Sequence, residues 1–98
     1  MLPPAMRYRR SESVAFRQLG EECLLVPIRT DPHQEMAVFR LNELGAFLWE
    51  ALAQPATEDE LIDRIAVEFE VEPADARADL DRFLQLLLSK RLVERSEP

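Results

Sequence analysis

The hydrophobic periodicity changes at Asn42, and this change constrains the fold more than any other feature of the sequence. Before Asn42, apolar residues alternate with polar ones or form short continuous runs, as β-strands require. After it, they recur at helical spacing. A chain of 98 residues has room for one small core. We therefore expect a single α+β domain, with a three-stranded antiparallel sheet followed by a winged-helix-like bundle of three helices.

Three extended runs precede Asn42. Val14–Leu19 alternates, and Gly20-Glu21 can turn the chain because Gly accepts positive φ at little cost. Cys23–Ile28 is almost wholly apolar, which favours a strand covered on at least one face. Glu35–Leu41 alternates again, after a loop that contains proline. Short connections predict an antiparallel meander in which the third strand lies at an edge.

Capping residues mark the starts of the three helices. Asn42 is a favoured N-cap for the first helix. Thr57, with Glu60 three residues later, has the capping-box form and opens the second. Pro73 is tolerated in the first turn of the third, which is predicted to run to about Lys90. Outside this core, we expect residues 1–12 to form a flexible arm, residues 13–94 to form the domain, and residues 95–98 to form a tail.

The charge distribution argues against nucleic acid and membrane as partners. The first 20 residues contain four Arg and one Glu, a net of +3, which leaves −10 for the rest of a chain whose net charge is −7. The net negative charge of residues 21–98 repels phosphate and anionic lipid. No run approaches the roughly 20 apolar residues of a membrane span. The expected compartment is the cytoplasm.

Residues that could support catalysis or metal binding are sparse. His33 is the only histidine, and Cys23 lies inside an apolar strand with no base near it in sequence. The carboxylates of residues 58–63 crowd a helix start, where the dipole stabilises them. Gly20 and Gly45 are the only glycines, too few for a phosphate-binding loop. We expect no enzymatic activity, no cofactor and no metal.

Several short motifs occur in an order and at a spacing that are typical of one protein family. They are Phe39-Arg40-Leu41-Asn42-Glu43, Gly45 with Leu48-Trp49, the acidic helix start at Thr57–Leu61, Val71-Glu72-Pro73, and the closing pair Leu92-Val93. In order and spacing, residues 14–94 resemble the coenzyme PQQ synthesis protein D (PqqD) family. The sequence departs from the common family pattern at Lys90-Arg91, where many members have a Gly.

The resemblance implies a non-catalytic peptide-binding protein. Members of this family bind the leader of a ribosomally made precursor peptide as an extra strand beside the third strand, in a groove completed by the third helix. A partner enzyme, namely a radical SAM protein, a leader peptidase or a cyclase, then acts on the core peptide.

The third predicted strand could accept an added strand. It contains no proline, so every backbone N–H group is available. The candidate binding residues along it are Glu35, Met36, Ala37, Val38, Phe39 and Arg40. Met36 and Val38 face away from the helices, where an exposed apolar pair would indicate a contact with another protein or with a second copy of this chain.

The third helix has an apolar arc about 200° wide, more than one packing contact needs. Leu86 and Leu88 lie on opposite flanks of this arc. We assign the Leu86 flank to the groove, together with Asp79, Arg82 and Phe83. Two alternatives stay open: both leucines pack against the other helices or in a dimer interface, and Asp79 and Arg82 form an ion pair on a solvated face.

Two other functions fit the same predicted fold. A winged helix can bind DNA, but the third helix begins with three aspartates and one arginine, which would meet phosphate unfavourably. Alternatively, the domain is an adaptor that binds a folded protein through the exposed face of its sheet.

Overall fold

The computed structural model describes residues 6–28 and 38–96. The strands are β1 (Arg7–Arg10), β2 (Val14–Leu19), β3 (Glu22–Pro27), β4 (Phe39–Leu41), β5 (Ala56–Thr57) and β6 (Val93–Ser96), and the helices are α1 (Glu43–Ala51), α2 (Glu58–Phe69) and α3 (Pro73–Ser89). The predicted α+β fold, with an antiparallel sheet and three helices, is confirmed. A second sheet is also present.

The predicted meander forms the sheet β2-β3-β4, in that order and antiparallel throughout. Leu19 pairs with Glu22 across the turn, where Gly20 has a φ of 63°. In β4, Leu41 lies opposite Cys23. Within the described residues β4 begins at Phe39, and the predicted strand residues Glu35, Met36 and Ala37 lie outside the described part of the chain.

The second sheet has the order β5-β1-β6, and in it the first strand of the chain pairs with the last. Tyr8 pairs with Ala56, and Arg10 pairs with Val93, both antiparallel. The prediction of a flexible arm is therefore wrong for residues 7–10. The folded region also extends to Ser96, beyond the predicted limit at residue 94. Local sequence did not indicate β1 because its partners are distant in the chain and only one of its four side chains is buried.

Alternate side chains of β1 contact two helices. Tyr8 is buried, and its hydroxyl donates to Oε1 of Glu58 on α2 at 3.0 Å. Burial, and then the neighbouring Glu58 carboxylate, raise the pKa of the Tyr8 phenol. Arg10 Nε donates to the carbonyl oxygen of Trp49 on α1 at 2.7 Å, and burial lowers the pKa of this guanidinium. Since these contacts attach β1 to the helices, the strand is part of the domain.

The predicted caps of α1 and α2 are confirmed. The side chain of Asn42 accepts a hydrogen bond from Gly45 N at 2.8 Å. Thr57 Oγ1 accepts from Glu60 N at 3.2 Å and contacts the Glu60 carboxylate at 3.1 Å. Each cap satisfies an amide that the first helical turn leaves unpaired.

The end of α3 is a Schellman turn. Leu92 N donates to Leu87 O at 2.9 Å, and Arg91 N donates to Leu88 O at 3.1 Å. Arg91 adopts a φ of 60°, the left-handed conformation that favours glycine. The departure from the family pattern at this position therefore leaves the turn geometry intact, with an arginine in a conformation that costs free energy.

The core lies where the three helices meet the inner face of the sheet β2-β3-β4 and the strands β1 and β6. Its fully buried side chains are Leu25, Leu48, Leu52, Leu61, Ile65, Leu80, Leu87 and Val93. Trp49, on α1, is also in the core, with 3% of its surface exposed. Among the described residues, no helix is both long and apolar enough to cross a membrane.

Candidate functional site

A groove of about 490 Å³ separates β4 from the middle of α3. We call it the β4–α3 groove. Its lining residues come from β4, the first turn of α1 and α3, and they are Phe39, Arg40, Leu41, Asn42, Leu44, Gly45, Asp79, Arg82, Phe83 and Leu86. Three elements of the fold, two of them adjacent in the chain and the third following α2, therefore contribute to one concave surface.

Strand β4 forms one wall of the groove. It pairs with β3 on one side, and among the described residues no strand pairs with its other side. Leu41 is buried, and Phe39 is half-buried and packs against the core. Arg40 points to the opposite face of the sheet, where it forms an exposed ion pair with Glu22 at 3.4 Å. β4 thus presents a backbone edge beside an apolar face.

Helix α3 forms the opposite wall. Leu86 is 44% exposed, although Leu84 and Leu87 beside it are buried. On the other flank, Leu88 is half-buried and packs against the core. The structure therefore places the Leu86 flank at the groove and the Leu88 flank in the core, and Leu86 is not packed against the other helices.

Charged side chains lie along the α3 side of the groove. Arg82 is hydrogen-bonded and ion-paired to Asp79 one turn earlier, with most of the arginine exposed to solvent. This is the ion pair that the i, i+3 spacing predicted. The two charges largely neutralise each other, and most of the other side chains that line the groove are apolar.

The start of α1 lines the groove with residues that the sequence analysis did not assign to a binding site, namely Asn42, Leu44 and Gly45. Gly45 is buried, and a Cβ at this position would lie 3.2 Å from Asn42 Oδ1 and 3.2 Å from Leu41 Cδ2. A side chain here would therefore crowd the cap and the end of β4. The sequence signal was the Asn42–Gly45 spacing, which places the first helical turn directly after the strand.

Of the ten candidate binding residues, the groove brings six together: Phe39, Arg40, Asp79, Arg82, Phe83 and Leu86. Val38 precedes β4 and is 56% exposed, but it does not line the groove. The candidates Glu35, Met36 and Ala37 lie outside the described residues. Peptide binding by all ten stays a prediction.

The lining of the β4–α3 groove is mixed in character. Its lining side chains are apolar, amide, arginine or aspartate. Within residues 6–28 and 38–96, no group of three or more His, Cys, Asp or Glu side chains is placed to hold a metal ion. Cys23 is a free, half-buried thiol that packs against the core. His33 lies outside the described residues.

Comparison with known protein families identifies this architecture. A family model described as Coenzyme PQQ synthesis protein D (PqqD) matches residues 22–93. The chain belongs to the PqqD family. The matched region begins with β3 and ends at the first residue of β6, so it includes every residue that lines the groove.

A solved structure has the same fold as this PqqD-family chain. It is TbiB1 in complex with the TbiA(beta) leader peptide, with a TM-score of 0.71 and 26% sequence identity. The similarity covers 88% of this chain and 94% of TbiB1. No curated protein matches the sequence.

Proposed function

We propose that this PqqD-family protein binds the leader segment of a ribosomally made precursor peptide as an added strand along β4. The observation that carries the proposal is the edge of β4 that no described strand pairs, which lies beside the β4–α3 groove. The similar protein TbiB1 was solved with a leader peptide, which supports the same role here.

Strand addition explains why the groove combines a strand edge with apolar side chains. Pairing of main chains supplies affinity but little selectivity, because every peptide has the same backbone. Successive side chains of an added strand point to opposite faces. Every second leader residue would therefore enter the groove against Leu41, Phe83 and Leu86, and selectivity would come from those contacts.

We infer that the protein itself is not an enzyme and holds the leader for a partner that modifies the rest of the peptide. The partner would be a radical SAM protein, a leader peptidase or a cyclase, and the binding would take place in the cytoplasm, where precursor peptides are translated. The groove supports this division of roles because, among the described residues, no histidine, cysteine, serine or lysine lines it, and its one carboxylate, Asp79, is paired with Arg82.

The charges of α3 favour a peptide over nucleic acid as the ligand. Arg77 lies 3.9 Å from Glu58 and 3.6 Å from Asp59, and Arg82 is paired with Asp79. Both arginines of the helix are therefore neutralised by carboxylates, whereas a recognition helix needs free cations to contact phosphate. We expect no binding to duplex DNA even at low salt.

A proline scan of the leader tests strand addition. The probe is a fluorescent synthetic leader of a precursor peptide identified in the host genome, and binding is read by anisotropy. Proline at alternate positions of the paired segment removes a ladder hydrogen bond and should abolish binding, whereas alanine at the same positions should retain most of it where the side chain faces solvent. Equal binding by every proline variant would rule out strand addition.

A further inference from the structure

The sheet β2-β3-β4 has an outer face that points away from the core. Strand alternation and register place Ala15, Arg17, Leu24, Val26 and Arg40 on it, with Ala15 opposite Val26 and with Leu24 between Arg17 and Arg40. We call these five residues the outer sheet face. None of them belongs to the core or to the partly buried side chains packed against it.

The apolar centre of this face lies on the middle strand. Leu24 and Val26 of β3 are half-buried by their neighbours in the sheet, and the next outward position towards β4, Val38, is 56% exposed. In an antiparallel sheet with one solvated face, the solvated face is usually polar. Adjacent apolar side chains at the centre of a sheet are typical of a surface that contacts another protein.

The charges of the outer sheet face differ from those of the whole protein. The chain has a net charge of −7, yet the flanks of this face carry two arginines, Arg17 and Arg40. Arg40 is paired with Glu22 at 3.4 Å, so Arg17 is the arginine of this face that has no ion pair among the described residues. A partner with an apolar centre bordered by carboxylates would complement this surface, and the acidic remainder of the protein would repel the same partner elsewhere.

The outer sheet face is continuous with the proposed leader site. A leader strand added along β4 would direct every second side chain into the groove and the intervening ones onto the outer face, beside Arg40. A protein that docks on this face would therefore contact both the domain and the outward side of the bound leader. The docked protein would then be in one complex with the peptide. An enzyme that modifies the peptide must be in such a complex.

We propose that the outer sheet face is the docking surface for the modifying enzyme, through a patch with an apolar centre and acidic rim on that enzyme. The inference rests on the proposed leader-binding function and adds a second surface, which adjoins the groove at Arg40. The groove recognises the peptide, and the opposite face of the same sheet recognises the enzyme.

Substitutions at Val26 and Arg17 test this surface. Val26→Glu places a charge at the apolar centre, and Val26→Thr keeps the β-branched shape as a matched control. Arg17→Glu reverses one flanking charge, and among the described residues the one hydrogen bond of the Arg17 side chain is to the carbonyl oxygen of Phe16. Thermal melts establish that each variant is folded.

Two binding measurements separate this inference from the proposed function. The first is the anisotropy titration of the synthetic leader, which Val26→Glu and Arg17→Glu should change by less than about threefold, because neither residue lines the groove. The second is calorimetric titration with the purified enzyme that modifies the same precursor, with the domain saturated by leader. Here Val26→Glu should weaken binding by about tenfold or more, and Arg17→Glu by severalfold with a strong salt dependence, whereas Val26→Thr should have little effect.

The remaining outcomes overturn the inference. Enzyme binding that survives both Val26→Glu and Arg17→Glu, or wild-type protein that does not bind the enzyme, excludes docking on this face. Sedimentation that shows a wild-type dimer split by Val26→Glu would assign the face to a second copy instead. Failure of the wild-type protein to bind the leader would contradict the proposed function. The first titration measures this binding without the enzyme, so the two claims are tested independently.

Discussion

The guanidinium of Arg10 lies over the indole ring of Trp49, 5.1 Å from the ring centroid, while its Nε donates to the carbonyl oxygen of the same residue at 2.7 Å. These two contacts join strand β1 to helix α1 across 39 positions of the chain. They also place a cation against a core aromatic ring in a partly buried site, where a cation–π contact is stronger than on the surface. The strand next to the N-terminus is thereby fixed to the core.

Replacement of Arg10 by alanine should destabilise the protein. We expect a loss of about 1–3 kcal/mol in the free energy of unfolding, because the hydrogen bond to Trp49 and the cation–π contact are both removed. Arg9 provides a matched control in the same strand, since its ion pair with Glu94 is half exposed. Arg9→Ala should cost no more than about 0.5 kcal/mol. Urea denaturation of both variants measures the difference, and equal losses would contradict the role given to Arg10.

Burial of Tyr8, together with its hydrogen bond to Glu58, predicts a change in stability at alkaline pH. The pKa of Tyr8 is raised above its ordinary value in the folded state, so the stability that this phenol contributes is fully present below roughly pH 10 and is lost as the pH rises through the folded pKa. Tyr8→Phe removes the titrating group. At neutral pH the variant should be less stable than wild type by about 1 kcal/mol, and the gap should close above pH 10. A gap that stays constant across chemical denaturations in this range would contradict the assignment.

Arg91 holds a left-handed conformation in the Schellman turn after α3, so glycine at this position should stabilise the protein. We expect Arg91→Gly to raise the free energy of unfolding by about 0.5–1 kcal/mol, seen as a higher melting temperature. Lys90, one residue earlier, has a φ of −93° and is the control. Lys90→Gly should lower the melting temperature, because it adds freedom to the unfolded chain without relieving strain. The same direction of change in both variants would contradict this account of the turn.

Leu86 tests the α3 wall of the groove. Leu86→Asp should weaken leader binding by about tenfold or more, since it places a charge among the apolar side chains that would contact the peptide. The fold should persist because the side chain is already 44% exposed. Val67, which is 80% exposed on α2 and away from the groove, is the control, and Val67→Asp should leave leader binding unchanged. Circular dichroism and anisotropy measure the two effects, and unfolding of Leu86→Asp would instead assign Leu86 to the core.

The sequence predicted the elements whose signals are local. Asn42 and Thr57 cap their helices as expected, because a cap depends only on the next three residues. Gly20 turns the chain between β2 and β3 for the same local reason. The second sheet was missed because β1 is defined by contacts of Tyr8 and Arg10 with residues far along the chain, and arginine-rich strands have no apolar alternation to detect.

The groove was predicted in part. Helical spacing placed Leu86 on one edge of the apolar arc of α3, but spacing alone does not say which edge meets the sheet. In the structure the Leu86 edge lies at the groove, because Leu88, on the opposite edge, packs against the core. The contribution of α1 was not predicted, since it depends on the close approach of Gly45 to the end of β4, which is a property of the tertiary fold.

The most direct test of strand addition is amide hydrogen exchange, measured by NMR with and without saturating leader. Successive amides of a strand point in opposite directions, so among residues 38–41 some donate to β3 and others face the open edge. We predict that the outward amides exchange at least about tenfold more slowly when the leader is bound, because they then donate to its backbone. Saturable leader binding that leaves exchange in residues 38–41 unchanged would show that the peptide binds elsewhere.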